Sequence, residues 1–402
     1  LNQPVQADLG KAIEVASELY PDINFKHSNF PEYIKAIKEK VPNDLAVVKG
    51  ELTSQDTDGW STLMNCASSH IYLKQMNRKC ELALENGAEP VRVLSSVLGQ
   101  NYPSDELEYS WKKLMQNHPH DSICCCSVDE VQDEMATRFN KSKQVADYLV
   151  SEGKRYIADK INTKEYEKYK NVLPFVVFNT TGRERTSVVS VEIDVTRKSG
   201  WLKKCAYDLD EINVPNYKLI DSDGNSIPFK IEDLGVKFGY DLPKDKFRQP
   251  YMARRVRVTF EAENISAVGY KTYALVEGDT EKVTDTLVSS ENCMENDAIR
   301  VEINKNGSLN VTDKASGRTY KGVAYYEETG DLGNEYMYKM PEGSKAITTQ
   351  DTVAKIELAE DEPYRAMYKI TNTITVPKSG DDNFEDEKSH IQQVIDLSLI
   401  HI

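Results

Sequence analysis

The chain has 402 residues, 39% of them hydrophobic and 29% charged, and a formal net charge of −15. This length suggests two or three domains, each able to bury a core, and the composition is that of a soluble globular chain. No apolar run reaches the roughly 18 residues of a membrane helix, and no block of Lys or Arg suits a nucleic-acid backbone or an anionic membrane, so neither partner is expected.

The sequence opens on Leu1 and ends on a strand-like run, VIDLSLIHI (residues 394–402). Both ends read as the inside of a longer protein, with no visible signal peptide. Residues 7–20 and 30–41 are expected to be helical, the second capped by Asn29 with Tyr33, Ile34 and Ile37 on one face. LAVVKGEL (residues 45–52) suits a buried strand. A long helix is expected over 58–88. Its stripe is Trp60, Leu63, Met64, Ala67 and Ile71, and Glu89-Pro90 ends it.

A second helix starts near Ser104, with Asp105 and Glu106 where the dipole favours acids, and carries Leu107, Trp111, Leu114 and Met115. Pro119 closes it. A third runs over 128–160, with Val131, Met135, Phe139, Ser142, Val145 and Leu149 on one face. Ser127 and Glu130 read as its capping box. Three long antiparallel helices make a bundle.

Past residue 171 the period changes to two. VLPFVVFN (172–179), VVSVEIDV (188–195) and RVRVTF (255–260) read as strands. Residues 300–312 read as a hairpin turned at Asn306-Gly307. The acidic run DDNFEDE (381–387) reads as a solvated loop. The second half is therefore expected to be antiparallel β, in two sandwich-like units.

The chemistry concentrates in HPHDSICCC (residues 118–126), the connection between the second and third helices. Its length and anchoring at both ends make it a good place to hold a ligand. His120 offers an imidazole suited to zinc, and Asp121 a carboxylate to orient a ligand or bind hydroxyls. Two such residues do not make a zinc site, and on spacing alone a solvated or capping pair is the favoured reading. Cys124, Cys125 and Cys126 lack C-x-x-C spacing. Together with Cys66, Cys80, Cys205 and Cys293 they read as small buried apolar residues in a reducing compartment. N-x-S/T triplets at Asn140, Asn179, Asn264, Asn306 and Asn310 are then chance matches. No nucleophile elbow, P-loop or dinucleotide fingerprint is present.

WKKLMQNHPHDSICCCSVDEVQDEMATRF (residues 111–139) resembles the signature region of glycoside hydrolase family 38, the α-mannosidases of bacterial cytoplasmic type. VKGELTSQDTDGW (48–60), IYLKQMN (71–77), Ala88-Glu89-Pro90 and DLGNEYMY (331–338) resemble further family segments in family order. The resemblance covers nearly the whole chain. It implies a multidomain α+β architecture: residues 1–55 as the tail of an α/β barrel-like catalytic domain and 56–168 as a three-helix bundle. Residues 169–275 would form a first β-sandwich domain, and 276–402 the start of a larger one.

It also implies a zinc-dependent retaining enzyme acting on terminal α-mannosyl residues of mannose-containing oligosaccharides, in the cytoplasm and as a homodimer. His120 matches a zinc ligand, Asp121 a residue that binds sugar hydroxyls, and Tyr336 a tyrosine reaching into the same pocket. The family's nucleophile, acid/base and His-x-Asp ligands match nothing here and belong upstream of Leu1. Cys125 stands where the family has Gly, and His70 where it often has Arg. The isolated chain is therefore expected to be inactive. The alternative reading is a non-catalytic relative that binds carbohydrate or a protein partner.

Overall fold

The computed structural model describes residues 6–42, 44–47, 64–243, 245–279 and 285–377, and the backbone of 386–398. The chain divides into two compact units, Leu1–Asp56 and Thr57–Ile402. The first holds helices α1 (Leu9–Leu19) and α2 (Phe30–Lys38). Asn29 caps α2 as expected, its Oδ1 accepting the Glu32 N–H at 3.0 Å. Neither helix buries a residue. Leu45 and Val47 are exposed and no strand runs over 44–47, against the expected buried strand. An apolar run becomes a strand only beside a backbone that pairs with it, and the described residues of this unit contain none. The rest of that run lies outside the described residues.

The second unit begins with a 3₁₀ turn, Met64–Ala67. His70 then sits in the left-handed region at φ 44, and α3 (Ile71–Glu81) starts behind it. The expected helix is thus interrupted before Ile71, because a left-handed residue breaks helical phase. Trp60 and Leu63 lie outside the described residues. The helix also fails to stop at Pro90. It runs through a π-helical stretch, Leu82–Ala88, directly into α4 (Glu89–Val97). In the wide turn the Glu89 N–H reaches back to the Leu84 carbonyl. Pro90 has no N–H to continue this ladder, and the Thr180 hydroxyl donates to the nearby Asn86 carbonyl at 2.7 Å. The proline's steric and hydrogen-bond defects are absorbed locally.

Helix α5 (Ser104–Met115) buries Leu107 and Leu114, whereas Met115 is exposed. A single turn, α6 (His120–Ile123), precedes α7 (Asp129–Ala158). The expected capping box does not form: Val128 occupies the N-cap position, and the buried Ser127 hydroxyl has no hydrogen-bond partner. The chain enters α7 one residue later than the box requires. Gln132 secures the entry, its Nε2 donating to the Ser127 carbonyl at 2.9 Å. Leu73, Leu84, Leu114, Met135 and Phe139 are fully buried in the core these helices share. Gly153 lets α7 approach α4, since a Cβ there would sit 2.6 Å from Val91 Cγ1.

The β region follows as β1 (Leu173–Asn179), β2 (Arg185–Lys198), β3 (Tyr217–Asp221), β4 (Ser226–Ile227), β5 (Phe229–Asp241), β6 (Gln249–Ile265) and β7 (Gly269–Glu277). Sheets β1-β7-β3-β4 and β2-β6-β5 close on one core of Leu219, Val258, Phe260, Tyr273 and Leu275. Helix α8 (Leu202–Asp210), unforeseen in the β half, packs on β6 and buries Cys205 and Leu209.

The chain then forms β8 (Val288–Ser290), β9 (Cys293–Glu295), β10 (Ile299–Ile303), β11 (Leu309–Asp313), β12 (Arg318–Val323), β13 (Glu327–Glu328), β14 (Ile347–Thr348), β15 (Lys355–Glu362), β16 (Arg365–Pro377) and β17 (Asp386–Ser398). A five-stranded sheet, β12-β11-β10-β9-β8, faces a three-stranded one, β15-β16-β17. Their shared core includes Met294, Val301, Ala366, Tyr368 and Ile370. In the β10–β11 hairpin only Gly307 has positive φ, 82, while Asn306 instead accepts the Ser308 N–H on its side chain. The expected Asn-Gly turn is therefore a wider loop. Asp386 and Glu387 open β17 rather than extending a loop, and 381–385 lie outside the described residues. The architecture is mixed helix and antiparallel sheet.

Candidate functional site

Pro119 ends the α5 segment, and its fixed φ starts the single turn of α6. Two amides fasten this connection. The buried Asn117 donates to the Met135 carbonyl at 3.1 Å, and His118 Nε2 lies 2.8 Å from Asn77 Oδ1. Between these anchors, His120 and Asp121 project outward, with side chains 65% and 68% exposed. His120 Nε2 lies 3.3 Å from Asp121 Oδ1. An exposed pair of this kind contributes little to stability, so both side chains remain available to a ligand.

The three cysteines have three different settings. Cys125 is buried and left-handed at φ 61, the conformation a glycine would adopt without strain. Lys74 Nζ donates to its sulfur at 3.3 Å and to the Ser69 carbonyl at 2.6 Å. Cys124 and Cys126 are only half-buried, so the expectation of buried core thiols holds for Cys125 alone of this run. Cys126 Sγ donates toward the Asp121 carbonyl at 3.5 Å and Oδ1 at 3.6 Å. Burial, followed by the neighbouring Cys124 and Cys126, pushes the Cys66 thiol up to about 11. Burial also raises Cys126. These thiols stay protonated near neutral pH and are poor nucleophiles. All seven cysteines are free.

Tyr336 arrives from residues 331–339, in the second β region. Its hydroxyl lies near Cys126, and that thiol, followed by burial and the nearby Asp121 charge, pushes the phenol up to about 12. The structure thus brings Tyr336, Cys126 and Asp121 together, with His120 beside Asp121. The residues that sequence reasoning missed are those holding Tyr336. Asn65 Nδ2 donates to Asp331 Oδ2 at 2.9 Å and to the Asn334 carbonyl at 2.7 Å. Asp331 Oδ1 accepts the Gly333 and Lys339 amides, and Asn334 Oδ1 accepts those of Tyr336 and Met337. The Asp-x-Gly-Asn chemistry of DLGNEYMY was the available signal for such a self-bonded loop.

His120 is a ligand type that zinc accepts, but a zinc centre takes three or four protein donors or keeps one position for water. Among the described residues no group of three or more His, Cys, Asp or Glu side chains is placed to hold a metal ion. The donor set therefore fits the contribution of one imidazole to a zinc site, and not a complete centre.

Residues 61–157 match the alpha mannosidase middle domain, and residues 170–277 match glycosyl hydrolases family 38 C-terminal domain 1. A putative mannosylglycerate hydrolase of Halalkalibacterium halodurans is 40% identical over 97% of this chain and 44% of its own length. An alpha-mannosidase from Enterococcus faecalis V583 superposes with a TM-score of 0.81 at 39% identity, over 98% of this chain and 47% of that one. A family 38 protein from Enterococcus faecalis gives 0.78 at 35% identity, over 98% and 48%. The chain thus spans about half the length of these relatives. With both domain matches falling in order on the helical and first β regions, and a relative 40% identical over 97% of the chain, the chain belongs to glycosyl hydrolase family 38.

Proposed function

We propose that this chain is the middle part of a zinc-dependent retaining α-mannosidase. Its substrates are terminal α-mannosyl residues, on oligosaccharides or on a small acceptor such as glycerate. The relatives' names support that range, one being an alpha-mannosidase and the other a putative mannosylglycerate hydrolase. The single observation that carries the reading is the convergence of Asp121, His120 and Tyr336 from a helix connection and a β-region loop.

In this reading His120 gives its imidazole to the ion, and Asp121 accepts hydrogen bonds from sugar hydroxyls. The Tyr336 phenol, kept protonated, donates one. Bound zinc supplies a Lewis acid for adjacent sugar hydroxyls. Retaining hydrolysis needs a nucleophilic carboxylate and an acid/base carboxyl about 5 Å apart, and residues 1–55 are the tail of the α/β barrel-like domain that would supply them. The 402-residue chain alone is accordingly inactive. Free thiols throughout suit the cytoplasm, and the family's bacterial members suggest a homodimer.

The test is His120→Ala in the gene-length protein. The expected result is loss of bound zinc and of α-mannoside hydrolysis, with the fold retained by circular dichroism. Full zinc content and full activity would count against it.

A further inference from the structure

The segment that carries Tyr336 has little of its own to hold it. Residues 331–335 are exposed, and no regular element runs between β13 and β14 except the loop's own turn bonds. The Asp331 and Asn334 side chains fold the loop on itself through four backbone amides. That makes the loop compact, but it does not fix the loop against the helical region. The Asn65 side chain does so, with one amide nitrogen serving both the Asp331 carboxylate and the Asn334 carbonyl. The residue next to it, Cys66, is buried, and Cys124, two residues before Cys126, lies near it. Cys126 in turn meets both Tyr336 and Asp121. Asn65, the 331–339 loop, Tyr336, Cys126, Cys124 and Cys66 are thus successive neighbours.

We infer that Asn65 is the positioning residue of this site: its side-chain amide docks the 331–339 loop onto the 3₁₀ turn and thereby sets the Tyr336 hydroxyl near Cys126 and Asp121. The importance of the site to mannoside binding rests on the function proposed above, but the docking does not. Asn suits the role because both acceptors lie in one loop, and a single NH₂ group carries two donors. One acceptor is a carboxylate, whose hydrogen bonds are about twice as strong as neutral ones. Burial acts to raise Asp331, yet the Lys339 and Gly333 amides and Asn65 hold it below the ordinary aspartate range. A charged Asp331 is therefore the docked form.

The experiment is hydrogen exchange on the full 402-residue chain. Asn65→Asp keeps the side-chain size but replaces the donor by a second carboxylate facing Asp331. Amides of residues 333–339 should then exchange about tenfold faster, while those of α7 stay protected. The double variant Asn65→Asp with Asp331→Asn restores a donor–acceptor pair with reversed roles, and should recover part of the protection. A difference titration against Tyr336→Phe in each background should show the phenol falling from about 12 toward an ordinary tyrosine value in Asn65→Asp. Unchanged exchange in Asn65→Asp overturns the inference. So does faster exchange throughout α7, or a double variant no better than the single one. Faster loop exchange with rescue, in a gene-length protein whose KM for an α-mannoside stays constant, upholds the docking and sinks only the role given to Tyr336.

Discussion

At the scale of single residues, two non-glycine positions near the site are held left-handed, and magnitudes separate them. His70 is exposed at φ 44, so its side chain buries little to offset the strain. His70→Gly should therefore raise stability by about 0.5–1 kcal/mol, read from denaturant unfolding. Cys125 at φ 61 carries similar strain but is buried, with a lysine on its sulfur. Removing it relieves roughly 1 kcal/mol and forfeits about as much burial, so Cys125→Gly should stay within about 0.5 kcal/mol of the parent. A cysteine at this left-handed position is thus compatible with an intact connection between α5 and α7. Asp331 has its own pH signature. Its carboxyl titrates below the ordinary value when folded, so its contribution is complete above pH 3.8 and lost as pH falls through the lowered value. Exchange protection of the 331–339 loop should hold at pH 5 and collapse only in stronger acid, which amide exchange against pH would check.

At the scale of elements, the clearest lesson is the π-helical stretch. Proline normally ends a helix because it lacks a donor and crowds the preceding turn. Here the wider turn makes room, and Thr180, from the connection after β1, donates to the Asn86 carbonyl beside it. That carbonyl is near solvent, so water partly replaces the hydroxyl. Thr180→Val should cost about 0.5–1 kcal/mol, read from denaturant unfolding. Phe139 is the contrasting case, fully buried among Leu84, Leu114 and Met135. Phe139→Ala should cost about 3–5 kcal/mol by calorimetry or denaturant titration.

These elements also show what was legible in the sequence. Periodic apolar residues marked α5, α7 and the long strands, because buried faces repeat with the local geometry. Helix ends were less legible. Pro90 and the Ser127/Glu130 pair are local signals; a long-range bond from Thr180 accompanies the first, and a different local bond, from Gln132, replaces the second. Helix α8 escaped because its two buried residues, Cys205 and Leu209, are too few to stand out in a β-rich stretch. The placement of His120 and Asp121 on a helix connection was legible from Pro119. Asn65 was not, since its partners lie 266 and 269 residues away and no period links them.

At the scale of the whole molecule, the described chain contributes one exposed imidazole, one exposed carboxylate and one raised tyrosine to a single place. Each suits a sugar site, and together they lack the carboxylate pair that glycoside hydrolysis needs. A non-catalytic binding role for the chain would leave the same three residues in place but would require them to bind sugar unaided. The most direct measurement is made on the purified 402-residue chain: zinc binding by equilibrium dialysis, with turnover of an aryl α-mannoside in the same sample. The account predicts no tightly bound zinc and no turnover, because the described residues hold no group of three metal donors and the three converging residues include no carboxylate pair. One tightly held zinc that disappears in His120→Ala, or measurable mannoside hydrolysis by this chain alone, would contradict it.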